Sequence, residues 1–248
     1  MSDVEREKAA DRVALLELRR PPSNVFDEAL LTELADALLD IDETDDVTAV
    51  VLCAQGKHFC AGADLRGLGA AGIRRVYRQA YRIFSARTPV VAAVHGAAIG
   101  GGLGLAMSAD FRVASPGARL TANFARLGFH QGFALTVTLP RAVGAQRAQE
   151  LLYTGRSVSG EEALAMGLCD AVADDPREAA VEFAGRIAAS APLSVRSIRA
   201  TLRRPLIADV GTALDLEADA QAALLGTADF AEGVAASFAK RPPHFTGS

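Results

Sequence analysis

Two glycine-punctuated loops, each placed after a continuous apolar run, hold the residues best suited to chemistry. The first loop covers residues 54–68 (AQGKHFCAGADLRGL) and follows the run TAVVLC. Gly62 permits a tight backbone turn, and the alanines on either side of it keep the space free of large side chains. Such a loop can aim a backbone N–H at a ligand. The alternative is an ordinary strand-to-helix loop in which Asp64 is the N-cap of the next helix.

The second loop covers residues 95–110 (HGAAIGGGLGLAMSAD) and follows the run PVVAAV. Gly100, Gly101 and Gly102 are consecutive, and the pattern predicts a helix that begins at Leu103. Unpaired N–H groups and a partial positive charge make a helix N-terminus a good site for an oxyanion. A dinucleotide-binding fingerprint is excluded, because its last glycine is missing and no acidic residue ends a strand about 20 residues further on.

The elements that must position these loops alternate between strands and helices up to about residue 170. Continuous apolar runs are typical of strands that are buried on both faces of a parallel sheet. We therefore predict an α/β fold with a core over residues 1–185 and a helical C-terminal region over residues 186–248. The predicted strands are residues 13–18, 48–53, 89–94 and 111–114. The predicted helices are residues 26–41, 73–86, 103–108, 177–190, 193–203, 209–225 and 230–239.

Composition narrows the function classes. Half of the 248 residues are apolar and the net charge is −4, so no global basic field attracts nucleic acid. The three cysteines, Cys53, Cys60 and Cys169, are widely spaced, which argues for free thiols and against disulfides or a structural zinc site. The charged first residues have no secretory apolar segment, and no run reaches the roughly 18 to 20 apolar residues of a membrane span. We expect a cytoplasmic protein.

Five blocks along the chain together resemble the enoyl-CoA hydratase/isomerase (crotonase) superfamily. They occur in that family's order and extend over nearly the whole sequence. The resemblance implies a spiral of ββα units and a C-terminal helical region that closes the pocket and builds a trimer or a dimer of trimers. It also implies an acyl-CoA thioester as substrate, with CoA entering as part of the substrate and no separate cofactor. The blocks read HFCAGADL, PVVAAVHGAAIGGGLGLAMSADFRVAS, RLGF…LPRAVG, LLYTGRSVSGEEALAMGLCD and FAEGVAASFAKRPPHF.

Carried over by position, the resemblance assigns two oxyanion-hole donors, the backbone N–H groups of Ala63 and Gly101. Negative charge on the thioester oxygen of an enolate is what two such donors stabilise. The resemblance also implies a set of substrate-binding positions. They are Ala61, Gly62, Asp64, Leu65, Arg66, Gly100, Gly104, Phe124, Gln131 and Lys240.

Further basic residues have two possible roles, binding of CoA phosphates or a solvated surface. Arg74, Arg78 and Arg82 repeat every four residues on one helix face, where they can meet CoA phosphates or form a solvated surface. Arg66 and Lys240 are open to the same two interpretations. His95 follows a buried strand and is interpreted as structural.

The sequence departs from the family at the two glutamates that hydratases use. One falls three residues after the middle glycine of the second loop, where this chain has Gly104. The other falls four residues before the last glycine of NFARLG, where it has Phe124. Paired carboxylates deliver the acid and base steps of hydration, and glycine and phenylalanine cannot.

His130 is the best replacement in the sequence, because an imidazole exchanges protons near neutral pH. A loop histidine that faces solvent or binds backbone is the alternative. Asn123 and Gln131 can orient a water molecule, and Tyr77 and Tyr81 lie on a helix that flanks the pocket in relatives. We interpret three glutamates as exposed or structural: Glu150, Glu161 and Glu162.

Three hypotheses follow for the function. The first is an enoyl-CoA hydratase or isomerase with atypical acid/base residues. The second is another enolate reaction of an acyl-CoA, either decarboxylation or retro-Claisen hydrolysis. The third is a non-catalytic protein that binds acyl-CoA.

Overall fold

The computed structural model describes residues 2–64 and 69–248. Its strands and helices follow the predicted alternation. A turn of 3-10 helix, Asn123–Leu127, adds to them. The strands are β1 (Val4–Ala10), β2 (Val13–Leu18), β3 (Ala49–Ala54), β4 (Val90–Val94), β5 (Ala97–Ile99), β6 (Phe111–Ala114), β7 (Arg119–Thr121), β8 (Ser157–Ser159) and β9 (Ala171–Val172). The helices are α1 (Glu28–Asp42), α2 (Ala70–Ser85), α3 (Gly101–Ser108), α4 (Leu135–Val143), α5 (Ala145–Thr154), α6 (Gly160–Met166), α7 (Pro176–Ala188), α8 (Pro192–Leu224) and α9 (Ala228–Ala239).

The larger sheet has the strand order β1-β2-β3-β4-β6-β9. Its pairs are parallel except for β1 with β2. Every residue of β2, β3 and β4 is buried, as expected for parallel strands that are covered on both faces. The four strands predicted from apolar runs are confirmed, and the α/β fold class with them.

A smaller sheet of order β5-β7-β8 accompanies the larger one. Strand β4 is followed directly by β5 and then α3, and β6 by β7 and then the 3-10 helix. Two strands in different sheets followed by a helical turn thus form the repeating unit. This repeat brings the ends of β3, β4 and β5, and the loops that leave them, to one place.

Some helix boundaries differ from the prediction. Helix α3 begins at Gly101 rather than at Leu103, because Gly100 is the N-cap. Helix α2 begins at Ala70 with Gly69 as N-cap, so the interpretation of Asp64 as that cap is wrong. Across the described residues, none of the helices is long and apolar enough to cross a membrane.

The C-terminal region contains one long helix where the sequence predicted two. Helix α8 continues through Pro205, which lies inside it. The turns before this proline are held from outside, because the buried Arg199 and Arg203 both donate to the carboxylate of Asp110. Tertiary contacts of this kind override the local cost of a proline. The boundary predicted between residues 185 and 186 falls inside α7.

The first strand was not predicted. Strand β1 has the sequence VEREKAA and pairs with β2 alone, at the edge of the larger sheet. An edge strand exposes one side and tolerates charged residues, and these protect the edge against pairing with another chain. Its charged composition has no apolar run, and for this reason the sequence did not predict a strand here.

Candidate active site

Two short parallel bridges hold the first glycine loop, one against the second loop and one against the segment before α1. Cys60 is bridged to Ala98, and Ala63 is bridged to Phe26. In the first bridge Cys60 N–H donates to Ala97 C=O at 3.0 Å, and Ile99 N–H donates to Cys60 C=O at 3.0 Å. The first loop is thus fixed against β5, the strand that enters the second loop.

The bridge between Phe26 and Ala63 does not use the amide N–H of Ala63 for either of its hydrogen bonds. Phe26 N–H donates to Gly62 C=O at 3.0 Å, and Asp64 N–H donates to Phe26 C=O at 2.8 Å. In a parallel bridge the residue between these two partners points its own N–H to the other side. Gly62 has φ +107°, a conformation that side-chain-bearing residues rarely adopt, and it sets this direction. Ala63 N–H donates to no backbone acceptor among the described residues.

The amide of Gly101 lies opposite. Gly101 is the first residue of α3, so its N–H has no acceptor within the helix. A Cβ built on Gly101 would lie 3.7 Å from the amide nitrogen of Ala63, and one built on Gly62 would lie 3.8 Å from the amide nitrogen of Gly101. The two donors predicted from the sequence are therefore side by side, one of them at a helix N-terminus. We call them the donor pair.

The donor pair lies at the edge of a cavity of about 870 Å³. The cavity wall is mostly apolar, as in sites that bind organic ligands. Of the predicted substrate-binding residues, Ala61, Gly62, Asp64, Gly100 and Phe124 line it. The other described lining residues are Val25, Phe26, Ile73, Val76, Tyr77, Ile99, Asn123, Leu127, Phe129, Gly132, Phe133, Gln221, Leu225, Phe230, Ala231, Val234, Ser237 and Phe238.

Helix α9 forms one side of the cavity. Its Phe230 ring packs on Phe129 with 4.6 Å between ring centroids. A close approach is possible because Gly233 faces the backbone of Leu127, where any Cβ would overlap it. Phe238 lies at the rim and is 81% exposed, so this side of the cavity is open towards solvent.

The side of the cavity around Phe124 is aromatic. Phe124, Phe129, Phe133 and Phe230 form what we call the aromatic wall. Gly104 is not among the residues that line the cavity, because Phe133 covers it, and a Cβ built on Gly104 would overlap the Cβ of Phe133. A glutamate has no room at position 104 in this arrangement.

The turn that brings Phe133 into the cavity is strained. Phe133 has φ +58° and Ala134 has φ +59°, the left-handed region that costs a non-glycine residue about 1–2 kcal/mol. The Phe133 ring is 1% exposed and packs on Phe26 at 5.4 Å and on Phe84 at 6.2 Å between centroids. Contacts outside the turn must hold it in this conformation.

Glu217 on α8 supplies those contacts, and the sequence analysis did not find it. Its side chain is fully buried. It accepts hydrogen bonds from Ala134 N–H at 2.8 Å, Thr136 N–H at 3.0 Å and the Thr136 hydroxyl at 2.6 Å. Burial raises the pKa of Glu217 to about 7, although these hydrogen bonds act in the opposite direction. Its place in the long helix gives no signal in the sequence.

A polar pair lies beside this carboxylate. The Tyr77 hydroxyl donates to Gln221 Oε1 at 2.8 Å, and Gln221 Nε2 donates to the carbonyl of His130 at 2.9 Å. Burial first, and then the charge of Glu217, raises the pKa of Tyr77 above its ordinary value. Both Tyr77 and Gln221 line the cavity as neutral hydrogen-bonding groups. Tyr77 was expected to flank the pocket, whereas Gln221 was not predicted.

The other described lining residues with polar side chains are Asp64, Asn123 and Ser237. Asp64 is the one carboxylate among the described lining residues. The side chain of Asn123 also lines the cavity, close to Gly100, where an added Cβ would lie 3.1 Å from its Oδ1. The described lining residues include no histidine, lysine or arginine.

Besides Gly104, three residues predicted for the site lie outside the described cavity lining. His130 is half-buried and its Nδ1 is 2.7 Å from the carbonyl oxygen of Gln131. Gln131 donates to the Thr136 hydroxyl at 3.2 Å. Lys240 is exposed and forms the C-cap of α9. Leu65 and Arg66 lie outside the described residues.

The three predicted arginines of α2, Arg74, Arg78 and Arg82, line a separate groove of about 620 Å³ between α2 and α8, and Tyr81 lines it with them. Arg74 pairs with Asp219 and Arg82 pairs with Asp36, so two of the three are neutralised on the surface. This placement favours the interpretation of a solvated helix face.

Other predicted structural residues are placed as follows. His95 Nε2 is 3.0 Å from the carbonyl oxygen of Gly56. Glu150 and Glu162 both pair with Arg156, and Glu161 is exposed. The three cysteines are free and buried, and burial raises the pKa of Cys60 to about 12, which makes its thiol inert. Within the described residues no cluster of three or more His, Cys, Asp or Glu is arranged to hold a metal ion.

Comparison with known proteins agrees with this architecture. The sequence model of the family described as "Enoyl-CoA hydratase/isomerase" matches residues 8–248. The chain is 40% identical over 199 residues to a probable enoyl-CoA hydratase of Mycobacterium tuberculosis, covering 77% of this chain and 78% of that one. It is 35% identical over 251 residues to a crotonyl-CoA hydratase of Syntrophomonas wolfei, covering 95% of each. The crystal structure of an enoyl-CoA hydratase/isomerase from Pseudoalteromonas atlantica is similar, with a TM-score of 0.89, 35% identity and coverage of 98% of this chain and 100% of that one.

Proposed function

Because the chain belongs to the enoyl-CoA hydratase/isomerase family, we propose that it stabilises the enolate of an acyl-CoA thioester at the donor pair, without the paired carboxylates of a hydratase. The observation that carries this proposal is the position of two backbone amides, those of Ala63 and Gly101, side by side at the edge of an apolar cavity. CoA is part of the substrate in this proposal, and no separate cofactor takes part.

The physical basis is the charge that develops during the reaction. Forming a carbanion next to a thioester moves negative charge onto the thioester oxygen. Two fixed N–H donors bind that oxygen more strongly as the charge grows, and each contributes about 3 kcal/mol in comparable sites. Backbone amides held by the bridges to Phe26 and Ala98 need no reordering when this happens.

Relatives named as hydratases of crotonyl-CoA or enoyl-CoA direct attention to 2-enoyl thioesters as substrates. Hydration of such a substrate requires one group to activate water and another to protonate Cα. The described wall offers one carboxylate, Asp64, together with the amide of Asn123, the hydroxyl of Ser237 and the Tyr77–Gln221 pair. We therefore expect slow hydration at best, and His130 takes no part in the proposed chemistry.

The aromatic wall favours decarboxylation of a malonyl-type thioester as the second candidate. In that reaction the electrons of the breaking C–C bond move into the thioester as CO₂ leaves, and Cα then takes a proton from water. No side-chain base is needed. An apolar surface destabilises the substrate's carboxylate relative to the products. Phe124 and Phe129 provide such a surface.

The decisive experiment is turnover of the purified protein on crotonyl-CoA, a 3-enoyl-CoA, a malonyl-type CoA and a cyclic β-diketone-CoA. Each substrate is tested with the wild type, Ala63→Pro and Ala63→Gly. Proline removes the proposed donor, whereas the flanking hydrogen bonds of the bridge are made by Gly62 and Asp64 and do not use the amide of Ala63. Glycine keeps the donor and is the matched control.

We expect Ala63→Pro to lower kcat on the accepted substrate by about 100-fold or more, and Ala63→Gly to stay close to the wild type. Turnover of the malonyl-type thioester alone would support the decarboxylase. Fast hydration of crotonyl-CoA would show that other groups replace the two carboxylates. Tight acyl-CoA binding without any turnover would leave a binding protein and would contradict the enzymatic proposal.

The trimer or dimer of trimers implied by the resemblance stays a prediction. Light scattering of the purified protein measures its mass directly. A mass three or six times 25.9 kDa would agree with it.

A further inference from the structure

Glu217 is a buried carboxylate that the proposed chemistry does not use. It lies on α8, and its hydrogen bonds run to the short segment 134–136 that follows Phe133. The segment lies more than 80 residues earlier in the chain, so this is a tertiary clamp and not a local helix contact. Two backbone amides and one hydroxyl converge on its two oxygens.

The clamp acts on the strained turn. Phe133 and Ala134 are consecutive residues with positive φ, and no glycine relieves either of them. Ala134 N–H donates to Glu217 Oε2, while both donors of Thr136 bind Oε1. Without these acceptors, Phe133 and Ala134 would move to backbone conformations of lower energy. The Phe133 ring would then leave its place above Gly104.

Phe133 in turn packs on Phe26, which contacts both members of the donor pair. The two rings are 5.4 Å apart between centroids. The backbone of Phe26 holds the segment around Ala63 through Gly62 and Asp64. Its ring lies against Gly101, where an added Cβ would be only 2.6 Å from the Cζ atom of Phe26.

We infer that Glu217 is a positioning residue for the donor pair, acting through the 133–136 turn, Phe133 and Phe26. The inference rests on the proposed function, because it assigns to Glu217 the alignment of the two amides that bind the thioester oxygen. It predicts that a change at Glu217 weakens the hydrogen bonds to the carbonyl of a bound acyl-CoA. Glu217 itself contacts no substrate.

A carboxylate suits this role better than its amide. All three partners of Glu217 are donors, and the carboxylate has acceptors only once it is ionised, above its pKa of about 7, so the test is made at pH 8. Glutamine of the same shape presents an NH₂ group to one of them, so Glu217→Gln breaks part of the clamp without opening a cavity. Thr136→Val removes the hydroxyl donor alone and tests the same clamp more mildly.

The test uses butyryl-CoA labelled with ¹³C at the thioester carbonyl. Infrared difference spectra of the bound ligand measure how far the donor pair lowers the C=O stretching frequency. We expect a clear lowering in the wild type, less than about half of it in Glu217→Gln, and an intermediate value in Thr136→Val. We also expect kcat on the accepted substrate to fall about tenfold in Glu217→Gln while the Kd of butyryl-CoA changes by less than about threefold.

Asp215→Asn is the matched control, because Asp215 lies on the same helix, is exposed and contributes to the groove between α2 and α8 instead of the cavity. Circular dichroism confirms that each variant is folded. A folded Glu217→Gln protein with the wild-type carbonyl frequency and kcat would overturn the inference, as would equal losses in Asp215→Asn. A wild type that binds butyryl-CoA without lowering its carbonyl frequency would instead overturn the proposed function itself.

Discussion

The two sides of the cavity are built by different parts of the chain in different ways. The donor pair is made of backbone, and its position follows from buried strands, two short bridges and the start of a helix. The aromatic wall is made of side chains, which are carried by a 3-10 helix, a strained turn and α9. The first side offers backbone N–H groups, and the second offers phenylalanine rings and has no room for a side chain at Gly104.

The difference teaches which part of the chemistry each side controls. A backbone donor survives most substitutions, because every residue except proline has an N–H. An acid or base is lost with a single side chain. A chain can therefore keep the ability to stabilise an enolate while it changes the reaction that forms the enolate. Under the proposed function, Phe124 and the Phe133–Gly104 contact are two such changes, and both lie on the aromatic wall.

The largest effect that we predict for the side-chain half of the cavity is a pH-dependent change in stability at Glu217. Its pKa is about 7 in the folded protein, against an ordinary value of 4.5. The folded state thus binds this proton more tightly than the unfolded state, so the stabilisation is complete below pH 4.5 and is lost as the pH rises through 7. Between pH 5 and pH 8 the wild type should lose about 2–3 kcal/mol of unfolding free energy relative to Glu217→Gln.

Urea unfolding of both proteins at several pH values measures this difference. The side chains that face Glu217 from neighbouring helices are the hydroxyls of Tyr77 and Thr136. Neither hydroxyl changes charge between pH 5 and pH 8. Parallel stability curves for the two proteins would contradict the prediction. They would show that the carboxylate is ionised over the whole range.

A smaller effect is expected at the contact that excludes a glutamate from position 104. A Cβ at Gly104 would overlap that of Phe133. Gly104→Ala should therefore destabilise the fold by about 1–3 kcal/mol, as overpacking does in other cores. Denaturant titration measures the change, and the cost should shrink in a Phe133→Ala background, because the two sites are in contact.

Gly185→Ala provides the control for that substitution. Gly185 lies inside α7, and a Cβ there would meet no atom within 4 Å. The substitution should stabilise the protein by about 0.5–1 kcal/mol, since alanine is the better helix former. Similar results for the two glycines would mean that Phe133 does not occupy the space beside Gly104.

The same contrast explains what the sequence could and could not predict. Apolar runs located β3 and β4, because strands buried on both faces restrict residue types, and glycines marked the two loops that follow them. The donor pair within those loops was assigned by the resemblance to the family. The clamp from Glu217 to the 133–136 turn has no such restriction, as it joins residues more than 80 positions apart through one side chain. The sequence also does not show that the backbone of Phe133 has a positive φ. Side-chain constellations of this kind require the tertiary structure.

The smallest effect is expected at His130, the residue that the sequence favoured as a replacement acid or base. Its side chain binds the neighbouring carbonyl of Gln131, and it is not among the described residues that line the cavity. The contact with Gln221 uses the His130 backbone, which a substitution leaves in place. His130→Ala should therefore keep kcat on the accepted substrate within about twofold of the wild type, a free-energy change below about 0.5 kcal/mol. A loss of 100-fold or more would show instead that the imidazole reaches the substrate and supplies the acid or base that the aromatic wall lacks.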